Sequence, residues 1–355
     1  MARPCLLLNP TSRHGRAARG TADRTTPMAQ LQFRQALRAA MTEEMERDEN
    51  VFLIGEEVAE YNGAYKVSEG MLDKFGPKRI IDTPISEAAF SGLAVGSACM
   101  GLRPIVEFMS WSFTWVCIDQ IVNNAANVRY MSGGQYKVPV VFRGGNGIAH
   151  QLGATHSHRM ESVYARIPGL IVVHPSTPAD AKGLLKSSIR CDDPVIFLES
   201  EKMLNELGEV PDDADYTVPI GVANVERQGK DVTLVSYGRA LQRVVRPAVK
   251  ALADDHGIDV ELIDLRTLRP MDTKTCIESI KKTNRCVIVD EDWGYCGMGS
   301  GILQKLQKPA FDYLDAPIEY VHSDEIPVPF NHYLEEAMMP SVDRIVSAVK
   351  EVCYR

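Results

Sequence analysis

The 355-residue chain lacks a long hydrophobic run and an excess of positive charge. No stretch approaches the roughly eighteen consecutive apolar residues that a membrane-spanning helix requires. Lysine and arginine number 39 against 47 aspartates and glutamates, so the formal net charge is −8. Nucleic acids and acidic membranes both bind basic protein faces, so this charge argues against either partner.

The common sequence signatures of metal, redox and nucleotide sites are also missing. No two of the eight cysteines form a Cys-x-x-Cys pair, which argues against zinc ligation and a thioredoxin-like site. Most of these cysteines lie in apolar runs, as expected of free thiols in a reducing compartment. The glycine-rich run from Gly297 to Gly301 has Ile302 where a dinucleotide fingerprint needs its third glycine.

The first 27 residues differ in composition from the rest of the chain. They contain Arg3, Arg13, Arg16, Arg19 and Arg24 but a single acid, Asp23. This composition fits an organellar transit peptide. It fits equally well translated upstream sequence with Met28 as the true start, or a disordered tail. The folded part is therefore expected to begin at Met28.

From residue 28 onward, apolar segments alternate with helical patterns. Phe33, Leu37, Met41 and Met45 recur at the four-residue spacing of one helix face within residues 30–47. Later runs that are apolar throughout, the first of them Val51–Gly55, are typical of strands in a parallel sheet covered on both faces. Helices are predicted between the strands, among them 115–130 and Pro178–Arg190. The pattern predicts an α/β protein with two parallel-sheet domains, residues 28–205 and 231–355. The acidic, turn-rich segment 206–230 is predicted to be a surface linker.

Glu87 occupies the most informative position in the sequence. It follows a predicted strand at 79–82, a turn at Pro84, and Ser86, which is placed to cap the next helix. One interpretation is a first-turn carboxylate that interacts with the helix dipole. The other is a ligand-binding carboxylate, because ligands bind at the carboxyl edge of parallel strands.

Three histidines follow the glycine-rich run 144–147: His150, His156 and His158. No carboxylate completes a recognisable metal-ligand spacing with them. A histidine that acts on a substrate is therefore favoured over a metal site.

Several blocks of the sequence, in order, resemble the β subunits of thiamine-diphosphate-dependent 2-oxo acid dehydrogenases, a transketolase-like family. The resemblance extends from about Leu31 to the C-terminus, and it rests on residues 53–58, 62–68, 82–87, 101–105, 118–121, 130–135, 141–144 and 268–272. Met131-Ser132-Gly133-Gly134 and Phe142-Arg143-Gly144 resemble the pyruvate enzymes more than the branched-chain or acetoin enzymes.

The resemblance implies a pyrimidine-binding domain followed by a transketolase C-terminal domain, assembled with an α subunit into an α2β2 heterotetramer. The β subunit would hold the aminopyrimidine of thiamine diphosphate. The α subunit would hold the diphosphate and Mg²⁺ through a Gly-Asp-Gly motif, which is absent from this sequence. The enzyme would decarboxylate pyruvate and pass the acetyl group to the lipoyl group of a dihydrolipoyl acetyltransferase core, which docks on the C-terminal domain.

The resemblance also assigns roles to individual residues. Glu87 would hydrogen-bond the pyrimidine ring nitrogen and His156 would face the reacting centre. The family's Gln-His-Ser-Gln appears here as Thr155-His156-Ser157-His158, and Trp111, which replaces a more common Phe, would narrow the pocket. The other cofactor-binding positions would be Ile85, Met109, Phe113 and Glu57, and a structural K⁺ would lie against carbonyls of Val140, Ser188, Ile189, Cys191 and Asp193.

Alternatives to the pyruvate enzyme are a branched-chain or acetoin enzyme, a non-catalytic scaffold subunit, and a stand-alone nucleotide-binding protein. A scaffold would be expected to lose Glu87, which this chain keeps. The acidic insert between the domains favours a bacterial cytoplasm over a mitochondrial matrix as the compartment.

Overall fold

The computed structural model describes residues 27–355, so all but the last residue of the arginine-rich segment 1–27 lies outside the described residues. The strands are β1 Met28–Gln32, β2 Val51–Gly55, β3 Ile80–Asp82, β4 Arg103–Phe108, β5 Val141–Asn146, β6 Ile171–Val173, β7 Val195–Ser200, β8 Leu207–Pro211, β9 Asn224–Arg227, β10 Val232–Ser236, β11 Val260–Asp264, β12 Thr267–Arg269, β13 Cys286–Trp293 and β14 Glu319–Ser323.

The α-helices are α1 Phe33–Arg47, α2 Met71–Phe75, α3 Glu87–Cys99, α4 Ala126–Met131, α5 Glu161–Ala165, α6 Pro178–Arg190, α7 Gly238–Ala240, α8 Arg246–His256, α9 Thr273–Thr283, α10 Met298–Ala310, α11 His332–Ala337 and α12 Val342–Val352. Short 3₁₀ segments occur at Trp111–Cys117, Ala154–His156, Glu201–Met203 and Phe311–Tyr313, and π-helical turns at Gln120–Ala125 and Leu241–Val245. None of the helices in residues 27–355 is both long enough and apolar enough to cross a bilayer.

Two sheets dominate the fold. The first has seven strands in the order β12-β6-β7-β5-β4-β2-β3, and the second has five in the order β14-β13-β10-β11-β9. Neighbouring strands are parallel in both sheets except at the edges, where β12 and β9 run antiparallel to their neighbours. The predicted α/β architecture with two parallel-sheet domains is confirmed.

Alternating side chains of β2 enter two different cores, as expected of a strand covered on both faces. Val51 and Leu53 join α1 and α6 in one core. Phe52 and Ile54 join α3 and the interior of the second domain in another. The predicted apolar face of α1 is also confirmed, because Phe33, Leu37, Met41 and Met45 are at most 1% exposed.

Two local predictions differ from the structure, and one strand pairs outside its own domain. The predicted linker 206–230 contains two strands, β8, which pairs with β1, and β9, which pairs with β11. The single helix expected over 115–130 is divided into 3₁₀, π and α segments. Strand β12 of the second domain joins the edge of the first sheet. The three strand pairings depend on partners distant in sequence, which a local pattern does not contain.

Candidate active site

Glu87 is the first residue of α3 and lies at the carboxyl end of β3. Its side chain is 9% exposed. Ser86 does not cap the helix as expected: its φ and ψ are −164° and 60°, and its hydroxyl donates to the Pro84 carbonyl at 3.0 Å. The first helical turn is therefore left without a side-chain cap beside the Glu87 carboxylate.

A second carboxylate, Glu56, lies beside Glu87 at the end of the neighbouring strand β2. Burial raises the pKa of Glu56, and the negative charge of Glu87 raises it further. Within the described residues, its Oε1 atom is buried without a hydrogen-bond partner. The prediction from resemblance named Glu57 instead. Glu57 is exposed and has a positive φ of 59°, so the structure brings Glu56, and not its neighbour, to Glu87.

The other expected cofactor positions follow β3 and β4. Met109 and Phe113 are half-buried after β4, and Ile85, before α3, is 86% exposed. The Phe113 ring meets the His156 ring edge to face, with centroids 5.2 Å apart and planes at 84°. The strands run in the order β5-β4-β2-β3, so these groups share the carboxyl edge of one parallel sheet.

His158 lies beside His156 on the same loop. Its backbone N–H donates to the Ser112 hydroxyl at 3.2 Å, and its ring lies 6.0 Å from that of Trp115. Burial lowers the pKa of His158 below its usual value, and a positive charge on His156 lowers it further. His158 is therefore a neutral imidazole at neutral pH.

Trp111 does not narrow a pocket, contrary to the expectation from resemblance. It is fully buried, and its ring contacts Phe108 and Tyr164 edge to face, with centroids 5.4 Å away in both cases. Trp111 is thus a core residue beneath the 3₁₀ segment that carries Phe113.

A buried ion triad lies in the sheet just before the strand ends that form the site. Arg143 on β5 is 2% exposed and pairs with Glu107 on β4 and Glu199 on β7. Its Nε and Nη2 atoms donate to the two Glu199 oxygens at 2.6 and 2.5 Å. The triad therefore ties together three adjacent strands just before the residues that form the site.

The second domain braces the loop that carries the histidines. Ile148 packs with Val328, Met338 and Met339 in a small apolar cluster. The Arg159 guanidinium contacts the Met339 sulfur at 3.1 Å. Both domains thus determine where His156 and His158 lie.

The expected K⁺ ligands lie near the carboxyl end of α6. The carbonyl oxygens of Ile189 and Cys191 converge on one nitrogen of Arg103, at 3.0 and 3.1 Å. The Ser188 carbonyl accepts from the Cys191 N–H, the Val140 carbonyl accepts from the Val195 N–H, and the Asp193 carboxylate pairs with Arg129. An ion bound here would compete with Arg103 for two of these carbonyls.

The three histidines do not form a metal site in the described part of the chain. The one set of three side chains there with ligand atoms close enough to share an ion is His332, Glu335 and Glu336 on α11. Lys202 pairs with both of these glutamates.

Comparison with known proteins accounts for both domains. Residues 29–206 match the family model of the transketolase pyrimidine-binding domain, and residues 221–345 match that of the transketolase C-terminal domain. A "Pyruvate dehydrogenase E1 component subunit beta" from Rickettsia felis is 51% identical over 325 residues, 92% of this chain and 99% of its own length. The chain belongs to this family of transketolase-like E1 β subunits.

Other members of the family come from bacteria and from mitochondria. The Rhizobium meliloti protein of the same name is 51% identical over 330 residues, 93% of this chain and 71% of its own length. The mitochondrial protein of Saccharomyces cerevisiae is 46% identical over 356 residues, 99% of this chain and 97% of its own length. A solved "Split gene transketolase, inactive beta4 tetramer" shares the fold with a TM-score of 0.71 at 21% identity, over 91% of this chain and 98% of that one.

Glu56 is the residue of the candidate site that sequence reasoning did not name. The signal was present, because Glu56 directly follows a buried strand, as a ligand-binding carboxylate does. Its neighbour Glu57 offers the same side chain, and the backbone turn after β2 decides which of the two points inward.

Proposed function

We propose that this chain is the β subunit of a pyruvate dehydrogenase first component and supplies half of an active site. The proposal is carried by two pairs of residues at one sheet edge. Glu56 lies beside Glu87, and Phe113 contacts His156. The names and sequence identities of the relatives support pyruvate over a branched-chain 2-oxo acid or acetoin.

The residues present fit the aminopyrimidine of thiamine diphosphate. Glu87 offers a buried carboxylate to hold a proton shared with a ring nitrogen, and the half-buried Phe113 offers a ring face for stacking. The unpartnered Glu56 oxygen leaves an acceptor free near that carboxylate. When bound, the cofactor would supply the carbon nucleophile and the electron sink for decarboxylation.

The remaining half of the site would come from an α subunit that holds the diphosphate and Mg²⁺. Exposed apolar side chains around α3 and α4 support this partner, since exposed apolar patches mark interaction sites. On these helices and the segments that flank them, they are Ile85, Leu93, Met100, Trp115, Val116, Tyr130 and Met131.

The lipoyl group of a dihydrolipoyl acetyltransferase would accept the acetyl group, with His156 facing the reacting centre and the C-terminal domain docking the core. A structural K⁺ at the carbonyls near Ile189 and Cys191 remains part of the proposal. For the compartment we propose a bacterial cytoplasm, with the mitochondrial matrix as the alternative.

The test is a Glu87→Gln variant of the enzyme purified with its α subunit. Dye reduction that depends on pyruvate, thiamine diphosphate and Mg²⁺ should fall at least about 10²-fold, as expected when a positioned proton-transfer group is lost. Glu60→Gln, an exposed carboxylate nearby, should leave the rate unchanged. A near-normal rate for Glu87→Gln would indicate a scaffold subunit. If the unmodified enzyme turned over branched-chain 2-oxo acids or acetoin faster than pyruvate, that compound would replace pyruvate as the proposed substrate.

A further inference from the structure

The histidine loop, residues 147–160, has both of its ends at Asn146, the last residue of β5. The Met160 N–H donates to the Asn146 side-chain oxygen at 3.1 Å, and the Asn146 side chain is also hydrogen-bonded to the carboxyl of Glu161. Asn146 and Glu161 are 4% and 3% exposed. The position of the loop, and of His156 within it, therefore depends on these two buried side chains.

The carboxyl of Glu161, in α5, faces the ring of His174, which follows β6. Its Oε1 atom lies 3.6 Å from His174 Nδ1, slightly more than hydrogen-bond length. The other ring nitrogen, Nε2, is hydrogen-bonded to the Ser200 hydroxyl at 3.0 Å. Within residues 27–355, Glu161 Oε2 and His174 Nδ1 are buried without a hydrogen-bond partner. Unpaired polar atoms are costly to bury, so a proton held between the two groups stabilises both.

Burial favours the uncharged form of both groups. It raises the pKa of Glu161, against the opposing effect of Arg159, and it lowers the pKa of His174 to about 4. Glu161 therefore keeps its proton to a higher pH than an exposed carboxyl does, and His174 is a neutral imidazole at neutral pH. A protonated carboxyl is a donor and Nδ1 of a neutral imidazole can accept, so one shared proton makes the pair complementary.

Acidic groups of the second domain lie next to this pair. The centroid of the Tyr237 ring is 5.3 Å from that of His174, and the Tyr237 hydroxyl donates to Asp290 at 3.2 Å. The Tyr320 hydroxyl donates to the same carboxyl at 2.8 Å. Burial, together with the charge of Asp292, raises the pKa of Asp290 to about 8. Asp290 is therefore mostly protonated at neutral pH and becomes charged only in the alkaline range.

Asp292 and Glu291 add negative charge on the same side of the pair. Asp292 is hydrogen-bonded to the Ser162 side chain across the domain boundary, and burial, together with the charge of Glu161, raises its pKa to about 6. Glu291 pairs with Arg239 at 2.6 Å, and its charge also raises the pKa of Glu161. These neighbouring charges favour retention of the proton on Glu161.

We propose that Glu161 and His174 are positioning residues for the reaction, and that the proton they share holds the histidine loop in its active position. This proposal rests on the function proposed above. Loss of the proton leaves a buried carboxylate with no donor at His174, next to acids of the second domain that are then also ionised. The resulting repulsion acts on Glu161 and, through Asn146, on the loop that carries His156. Turnover should therefore fall as the pH rises into the alkaline range.

The test measures kcat and the KM for pyruvate in dye reduction between about pH 6.5 and 9, on the enzyme assembled with its α subunit. Glu161→Ala should lower kcat about 10- to 100-fold at every pH, as expected when a reacting group is displaced. Glu161→Gln keeps the shape and a hydrogen-bond donor but has no proton to lose. It should recover most of that kcat at the lowest pH. It should also lose most of the alkaline fall, which in the unmodified enzyme approaches about tenfold per pH unit. The KM for pyruvate should be unchanged, because the buried Glu161 acts only through the loop.

Hydrogen exchange of residues 147–160, corrected for the intrinsic exchange rate at each pH, follows the loop without the reaction. Protection should decrease at alkaline pH in the unmodified enzyme but not in Glu161→Gln. Glu60→Gln, the same change at an exposed carboxylate, should match the unmodified enzyme in both measurements.

Coincidence of the pH profiles of Glu161→Gln and the unmodified enzyme, in either measurement, would overturn the proposal. Failure of the proposed function would appear separately, as no pyruvate-dependent dye reduction by the unmodified enzyme. In that case the exchange of the loop still decides whether the shared proton holds it.

Discussion

Removal of the Arg143 charge should destabilise the first domain far more than removal of a surface charge. Arg143→Met keeps most of the side-chain volume but leaves Glu107 and Glu199, at 4% and 1% exposure, without their cation. Loss of one partner from a buried ion pair costs about 3–5 kcal/mol. We expect the unfolding free energy at pH 7.5 to fall by about that amount.

The direction of the pH dependence follows from Glu199, which the substitution leaves buried without its cation. Burial already raises the pKa of Glu199, and Arg143 is the group that lowers it. Without Arg143 the folded-state pKa of Glu199 rises further above its unfolded value, so the penalty is greatest at high pH. The variant should therefore recover stability as the pH falls from about 8 to about 5.

Urea unfolding followed by circular dichroism, at several pH values, measures this effect on the enzyme purified with its α subunit. Lys74→Met is the control, because its pair with Glu46 is about half exposed on both sides and is worth less than about 1 kcal/mol. Combining Arg143→Met with Glu107→Gln and Glu199→Gln should restore most of the loss, since no buried charge remains. A loss below about 1 kcal/mol, or one independent of pH, would refute the reasoning.

Two further predictions concern other buried or exposed groups. Burial raises the pKa of Glu201 from 4.5 to about 7, so this group should lower the unfolding free energy by up to about 3 kcal/mol as the pH rises through that interval. Urea unfolding at pH 5 and 7.5 should show that slope reduced in Glu201→Gln, and an unchanged slope would contradict the assignment. Val116→Lys places a charge among the exposed apolar side chains and should abolish co-purification of the α subunit. The circular dichroism of this chain should stay normal. Retention of the α subunit would exclude Val116 from the interface.

Elements with a strong local pattern could be predicted closely from the sequence. The segment Val51–Gly55 is a strand with the predicted bounds because five consecutive apolar residues suit a strand buried on both faces. Helix Pro178–Arg190 was likewise expected with these bounds, since Thr177 caps it and proline occupies its first turn. In both cases the deciding interactions are local.

The candidate site could be predicted in part for the same reason. The turn at Pro84 and the helix after it place Glu87 at a strand end, and both signals are local in the sequence. The choice between Glu56 and Glu57 could not be made, because it depends on the backbone turn after β2 and on the position of α3. The burial of Trp111 likewise depends on Tyr164, 53 positions later in the sequence.

By itself, the sequence determined the α/β alternation, the position of Glu87 at a strand end and the family, because short-range periodicity and ordered motifs carry that information. Only the tertiary structure decided the charge partners of Arg143, the pairing of β8 with β1 and of β9 with β11 inside the predicted linker, and the contact of Arg159 with Met339 of the second domain. These features join residues far apart in the chain. Their electrostatic and packing interactions depend on the distance between the groups, so they exist only in the folded protein.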